Sequence, residues 1–267
     1  MSEKGNQAVK TVSFMMLITL FGKILGMVRE QLLAANYGTD MQAAAFLLAS
    51  RIPRTFFDVI FASAISASFI PVFVEYLQKK GRQEAFSLAN RFITMISTVT
   101  LLMMLLGMAF AKPLTLLIAP GYDVETVTLC VGLLRMLFPT MLFTAVAFSF
   151  VGILQSLEEF NVPAALSVVS NGVLILYYIF FNEKFGILGL TVAFLIGWAM
   201  QAVIQIPSLW KKGYHYHPDF HFKDEGLRKI GKLMLPVMVS TWIQPINFMV
   251  NTRFASQLSG GSVVNGE

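Results

Sequence analysis

The stretch TVSFMMLITLFGKILGMVREQLLAANY, Thr11–Tyr37, decides the fold. As one helix it is roughly 40 Å long at ~1.5 Å per residue. That exceeds the ~30 Å hydrocarbon core of a bilayer, so the segment is long enough to span one. Yet Lys23 lies near its middle, and Arg29 and Glu30 follow about a turn and a half later. A cation at membrane depth costs on the order of 3 kcal/mol or more unless it faces a wet cavity or a partner. The segment therefore describes a membrane protein with a polar interior, built to receive something negative.

The rest of the chain agrees. It is 56% hydrophobic and only 13% charged, about half the ~25% of an ordinary soluble domain. The expected class is an all-α polytopic membrane protein. The net charge of +5 reports loop bias on such a chain and does not argue for nucleic acid. The single cysteine, Cys130, excludes an internal disulfide and a cysteine zinc cluster, and reads as a small apolar packing residue. MSEKGNQAVK is polar and runs into the first span without a cleavage site, so it reads as the lead-in to a retained helix. No repeat of 20–50 residues is visible. The phosphate-binding pattern GxxxxGK[ST] is absent, so the chain does not burn ATP itself, no Ser/His/Asp or Cys/His set can be argued, and no cofactor is expected. His215, His217 and His221 share the loop YHYHPDFHF; an alternating polar and aromatic stretch explains their spacing as well as a metal site does, and no metal is assigned.

Seven spans are predicted: Thr11–Tyr37, Met41–Leu77, Phe86–Ala111, Val124–Leu157, Val162–Phe181, Gly186–Leu209 and Ile230–Leu258. The second would be ~55 Å if helical throughout, more than one crossing needs and too short for two. Pro53, Pro71, Pro139, Pro236 and Pro245 fall inside these runs, and broken helices at membrane depth are tolerated where they line a cavity or are buried in protein. Lys4, Lys10, Lys79, Lys80, Arg82, Lys211, Lys212, Lys223, Arg228, Lys229 and Lys232 fall on one side, against Lys112 and Lys184 on the other. The positive-inside rule then puts the N-terminus in the cytoplasm. The expected organisation is a cytoplasmic N-terminus over 1–10, a six-helix lobe over 11–212, a cytoplasmic loop over 213–229, a seventh helix over 230–258 that opens a second lobe, and a truncated tail over 259–267.

Six bases lie within the spans: Lys23, Arg29, Arg51, Arg54, Arg135 and Arg253. Arg135 and Arg253 equally suit snorkelling to the interface. Glu30 shares a helix face with Lys23, seven residues away, and Asp58 is placed to pair with Arg54 at i,i+4. The set stays positive, so a cavity lined by it attracts phosphate or carboxylate, and arginine offers a planar fork that fits phosphate oxygens bidentately. The candidate substrate-binding residues are Lys23, Arg29, Glu30, Arg51, Arg54 and Asp58. FASAISASF, residues 61–69, reads as close helix packing through small side chains or as a smooth cavity wall. Gly22 and Gly26 flank Lys23 and read as points of close packing or bending.

Four stretches carry a resemblance. FGKILGMVREQLLAANYG (21–38), SRIPRTFFDVIFASAISASFIPVFVEY (50–76), LLRMLFPTMLFTAVAFSFVGILQS (133–156) and GYHYHPDFHFKDEGLRKIGKLMLPVMVS (213–240) resemble the first, second and fourth helices and the loop into the seventh helix of the MurJ/MviN lipid II flippases, of the MOP exporter superfamily. The resemblance covers about residues 8–264. It implies a fourteen-helix fold of two six-helix lobes plus two further helices. It also implies alternating-access export of the undecaprenyl-linked peptidoglycan precursor, lipid II, across the bacterial cytoplasmic membrane. Lys23 and Arg29 fall on the family's basic positions in helix one, Glu30 on the acid beside the second, and Arg51 on the base before the Leu-Pro pair of helix two. The second helix departs from the pattern: Ala44 stands where an acid is usual, Phe57-Asp58 replaces Arg-Arg, and Ser63-Ala64 replaces Glu-Gly. The chain is expected to be the N-terminal half, with a C-terminal half in its parent, and to be unable to transport alone. The alternatives are a flippase for another polyprenyl-linked oligosaccharide, a MATE-like exporter, and a non-transporting membrane fragment. Cationic drugs would want an acidic cavity.

Overall fold

The computed structural model describes residues 3–38, 40–55 and 63–258. Thirteen α-helices run through them. The first, α1 (Glu3–Tyr37), begins within the polar lead-in, which continues the helix instead of preceding it. A tight turn with Gly38 at φ +54° leads to α2 (Met41–Pro53), where Pro53 ends the regular hydrogen bonding. One turn of wider π-helix, Ile65–Phe69, continues into α3 (Ile70–Lys79), with Pro71, which has no N–H to donate, at the junction where the hydrogen-bonding register changes. The remaining elements are α4 (Arg82–Ala109), α5 (Ala111–Ile118), α6 (Val124–Leu137), α7 (Thr140–Ser156), α8 (Asn161–Ala164), α9 (Leu166–Phe180), α10 (Asn182–Val203), α11 (Ile206–Lys211), α12 (Glu225–Thr241) and α13 (Ile243–Leu258).

Among the described residues, six helical runs are long and apolar enough to cross a membrane: Val12–Tyr37, Arg82–Ala109, Val124–Ser156, Asn161–Phe180, Asn182–Lys211 and Glu225–Ser256. They correspond to six of the seven predicted spans. The other, Met41–Leu77, is represented by α2, the π turn and α3, with 56–62 between them outside the described residues. Prolines and one glycine set the internal joints. Pro139 divides the fourth span into α6 and α7. Gly186, at φ +53° and ψ −147°, kinks α10 after its first turn; the left-handed φ suits a residue without Cβ. Lys112-Pro113 does not close the third span: a break at Phe110 is followed by α5.

The fourth span is the central post. In its most apolar window 72% of the residues are buried, against 6% for the first span. On this post α2 packs against α6, and α4 and α10 against α7; α9 packs on α10, and α1 on α9. Lipid tails are as apolar as leucine, so association at this depth depends on close contact and polar links more than on transfer from water. Gly22 illustrates the close contact: a Cβ there would lie 2.3 Å from Ser167 Oγ on α9. The described part of the small-residue segment does two things. Ala64, Ile65, Ser68 and Phe69 are buried, with Phe69 against Gly152 of α7, while Ser66 and Ala67 stay exposed.

Polar links tie the loops into two opposite ends. At one end Arg82 donates to the Lys212 carbonyl, Lys212 Nζ to the Leu157 carbonyl at 3.1 Å, and Lys229 pairs with Glu75. The segment 213–224 is strapped along α4: Tyr214 donates to Asn90 at 2.8 Å, the Asp219 N–H to Thr94 at 3.1 Å, and Arg91 to Asp219 at 2.9 Å and Asp224 at 2.6 Å. Asp224 also caps α12 by accepting from the Leu227 N–H at 3.1 Å. At the other end Tyr37 donates to Asn182 at 2.5 Å, Asn182 to Asn36 at 2.9 Å, and the Gly121 N–H to Ser256 near the end of α13 at 3.4 Å.

Candidate functional site: a cationic cavity

Gly22, Gly26, Arg29 and Leu33 recur at i, i+4, i+7 and i+11, one stripe of α1 turned toward α9. Arg29 is held there by two groups. Its Nη1 donates to Asn171 Oδ1 of α9 at 3.0 Å and its Nη2 to Glu30 Oε1 at 3.1 Å. Asn171 is buried, and its Nδ2 donates to the Gly22 carbonyl at 3.1 Å. One amide thus fixes both the α1–α9 approach and the guanidinium. The Arg29 side chain keeps 22% of its surface open and Glu30 keeps 72%.

The other cations come from the end of α2. Arg51 lies in its last turn. Arg54 follows, its guanidinium 5.8 Å from the Trp198 ring centroid, within cation–π range. Arg29, Glu30, Arg51 and Arg54 line one cavity of about 350 Å³, walled by Ser50, Phe46, Tyr178 and Phe194 among others. Arg29 and Arg54 also border a second cavity of about 540 Å³, whose polar wall includes Ser66, Ser170, Asn171 and Gln201. The two arginines therefore place positive charge at the border of both spaces.

Of the sequence-predicted residues, the structure brings together Arg29, Glu30, Arg51 and Arg54. Lys23 is exposed and lines neither cavity; six residues from Arg29, it sits a third of a turn around the helix. Glu30 bonds to Arg29 and not to Lys23, because Lys23, though on the same face, lies about two turns or ~10 Å along the axis, whereas Arg29 is the neighbouring residue. Asp58 lies outside the described residues. Arg135 donates to the Met108 carbonyl at 3.2 Å, and neither it nor Arg253 lines these cavities. Of the histidines, His221 bonds to Asp219 at 2.7 Å and His215 stacks on Trp210. Asn171, Trp198, Tyr178 and Gln201 were not singled out from sequence. The amides Asn171 and Gln201 carried a usable signal, since polar groups within a span turn inward.

A multi-pass helical bundle with arginines gathered at an internal cavity is a polytopic membrane protein with a site suited to an anion. The chain belongs to the MurJ lipid II flippase family: the family's profile, "Lipid II flippase MurJ", matches residues 33–265. The match begins after Arg29 and Glu30. The chain is 32% identical over 92% of its length to a "Probable lipid II flippase MurJ" of Buchnera aphidicola from Acyrthosiphon pisum, covering 49% of that protein. It is 25% identical, over 92% of its length, to the "Lipid II flippase MurJ" of Burkholderia cenocepacia, again covering 49%. The chain thus spans about half the length of the curated relatives it matches. Among solved structures, MurJ in an inward closed conformation superposes with a TM-score of 0.77 at 26% identity, covering 92% of this chain and 51% of that one. The Vibrio cholerae MATE transporter VcmN in its bent form, at 18% identity and TM-score 0.71, covers 92% and 57% and shares the fold.

Proposed function

We propose that this chain forms the first lobe of a flippase that moves lipid II, the undecaprenyl-pyrophosphate-linked peptidoglycan precursor, from the inner to the outer leaflet of the bacterial cytoplasmic membrane. The observation that carries the reading is the convergence of Arg29, Arg51 and Arg54 on one cavity in a MurJ-family fold. A volume of about 350 Å³ is at the small end of ligand pockets, ~300–1,000 Å³. It suits the pyrophosphate end of the headgroup, while the polyprenyl tail stays in the bilayer. Arg51 and Arg54 offer planar donors to the phosphate oxygens. Arg29, pre-set by Asn171, gives a third fork, and the exposed Glu30 is free to swing away as the anion arrives. The opposite wall belongs to the half of the relatives' length that the match does not reach, and rocking of the two lobes exposes the cavity to each side in turn. The basic end faces the cytoplasm, with the N-terminus on the same side. A MATE-like export of cationic drugs is disfavoured, because among the described residues three arginines and one glutamate line the cavity.

The test is complementation of a flippase-depleted strain by the full-length protein. Arg29→Ala should abolish growth while the protein stays inserted, and Arg29→Lys should restore it only in part, since an ammonium cannot replace the fork. Wild-type growth with Arg29→Ala at normal expression would overturn the role.

A further inference from the structure

A second cationic recess lies away from the cavity, between α3 and α12. Its volume is about 440 Å³, and Lys80, Arg228, Lys229 and Lys232 line it with Glu75, Tyr76, Glu225 and Gly226. The sequence on α12 builds it: Glu225, Arg228, Lys229 and Lys232 recur at i, i+3, i+4 and i+7, one stripe turned to α3, while Leu227, Ile230 and Met234 on the opposite side are buried. Its charges do not cancel. Glu75 serves both Lys79, at 3.1 Å, and Lys229. Lys80 lies over the Tyr76 ring, 4.2 Å from its centroid. Among the described residues Arg228 and Lys232 form no ion pair.

The depth of the recess names its ligand. It sits where the second span ends and the seventh begins, at the end of the bundle that also carries Arg82, Lys211 and Lys212. Trp210, Phe220 and Phe222 are exposed at the same end, and aromatic side chains of this kind settle at headgroup level. Basic recesses between spans on the cytoplasmic side suit phosphate-bearing headgroups, with about 1 kcal/mol of attraction per Lys or Arg near an anionic surface. We propose that the recess between α3 and α12 binds the phosphate headgroup of an anionic glycerophospholipid of the inner leaflet, with Arg228, Lys232 and Lys80 as its donors. A lipid seated there bridges the first lobe and the seventh span and holds α12 at a fixed angle to α3. The proposal rests on the reading that the basic end is cytoplasmic, but not on the cargo.

The experiment measures thermal unfolding of the purified full-length protein in neutral phosphatidylcholine nanodiscs, titrated with phosphatidylglycerol. The wild type should gain stability as phosphatidylglycerol rises. Arg228→Gln/Lys232→Gln should need about 30-fold more of it for the same shift. Arg228→Lys/Lys232→Arg should keep most of the response, and Lys211→Gln/Lys223→Gln, equal in charge removed, should keep it too. An unchanged response in Arg228→Gln/Lys232→Gln overturns the site. An equal response to soluble glycerol phosphate at matched concentration and ionic strength overturns the lipid as its source. Arg29→Ala should retain the phosphatidylglycerol shift while losing lipid II transport, which separates failure of this site from failure of the flippase reading.

Discussion

Replacing Asn171 with leucine removes the amide that joins α9 to α1 while keeping nearly the same volume. Two hydrogen bonds go, one to the Arg29 guanidinium at 3.0 Å and one to the Gly22 carbonyl at 3.1 Å. A bond to a charged group is worth about 1.5–3 kcal/mol in soluble proteins, but interhelical bonds inside membranes average about 0.6 and reach about 1.7 kcal/mol. The Gly22 carbonyl keeps its partner within the helix, so most of the loss falls on Arg29. A stability loss of about 1–2 kcal/mol is expected, too little to unfold the bundle. The larger effect falls on transport. With Asn171 gone, Glu30 is the only hydrogen-bond partner left to Arg29 among the bonds described, and Glu30 is mostly exposed. The guanidinium loses the amide that fixes its direction at the first cavity and is left to follow the exposed Glu30 carboxylate. If 1–2 kcal/mol of binding to the migrating phosphate is lost with it, flipping by the full-length protein in liposomes should slow about 5- to 30-fold. A double-mutant cycle isolates the cause: in an Arg29→Ala background, measured at high enough protein to detect residual flipping, Asn171→Leu should change the rate no further. Full-rate flipping by Asn171→Leu, or an undiminished additional loss in the Arg29→Ala background, would refute the idea that Asn171 acts through Arg29.

Gly22→Ala should lower the unfolding temperature by an amount equivalent to about 1–3 kcal/mol, since its Cβ would sit 2.3 Å from Ser167 Oγ, and Ser167→Gly should recover most of the loss. The Asp219 carboxyl is held down at about 2, from an ordinary 3.8, by the backbone N–H and ring of His221 and by Arg91. A lowered carboxylate contributes stability that is full above its unfolded value and fades as pH falls through its folded one. Proteolysis of the segment 213–224 should therefore show no loss of the Asp219 contribution from pH 8 to 4, and a loss only between about 4 and 2, whereas Arg91→Ala should speed cleavage already at neutral pH. On a Cys130→Ala background, an impermeant thiol reagent on intact cells should label a cysteine placed at Lys184 but not one at Lys80; the reverse pattern would invert the proposed topology.

Much of the bundle was legible because bilayer thickness imposes its length on sequence. Apolar runs of about 20 residues mark spans, and prolines mark joints, as Pro139 does between α6 and α7. Ends were less legible. Residues 3–10 are polar and yet helical, since helical hydrogen bonding does not stop where apolar side chains do. α5 was missed because Lys112-Pro113 reads as a terminator, although a proline in a first turn also starts a helix. For the cavity, the residue types that attract phosphate were visible, but their azimuth was set by neighbours. Lys23 and Arg29 share one helix, and only the packing of Gly22 and Gly26 on α9 turns Arg29 inward and leaves Lys23 outside. Asn171 and Trp198 were hidden for the complementary reason: each gains its role from an arginine more than 140 residues earlier in the chain.

That separation has a counterpart in time. Arg29 and Asn171 are 142 residues apart, so at the ~5–20 residues per second of synthesis the arginine emerges about 7–28 s before its partner. Throughout that interval the first helix carries a cation with no amide to receive it. Newly made α1 must wait in a hydrated or headgroup-rich setting, and it becomes a fixed wall of the bundle only when α9 arrives. Biogenesis is therefore the stage most exposed to a defect at Asn171: a nascent chain lacking that amide has no scheduled moment at which Arg29 is taken in.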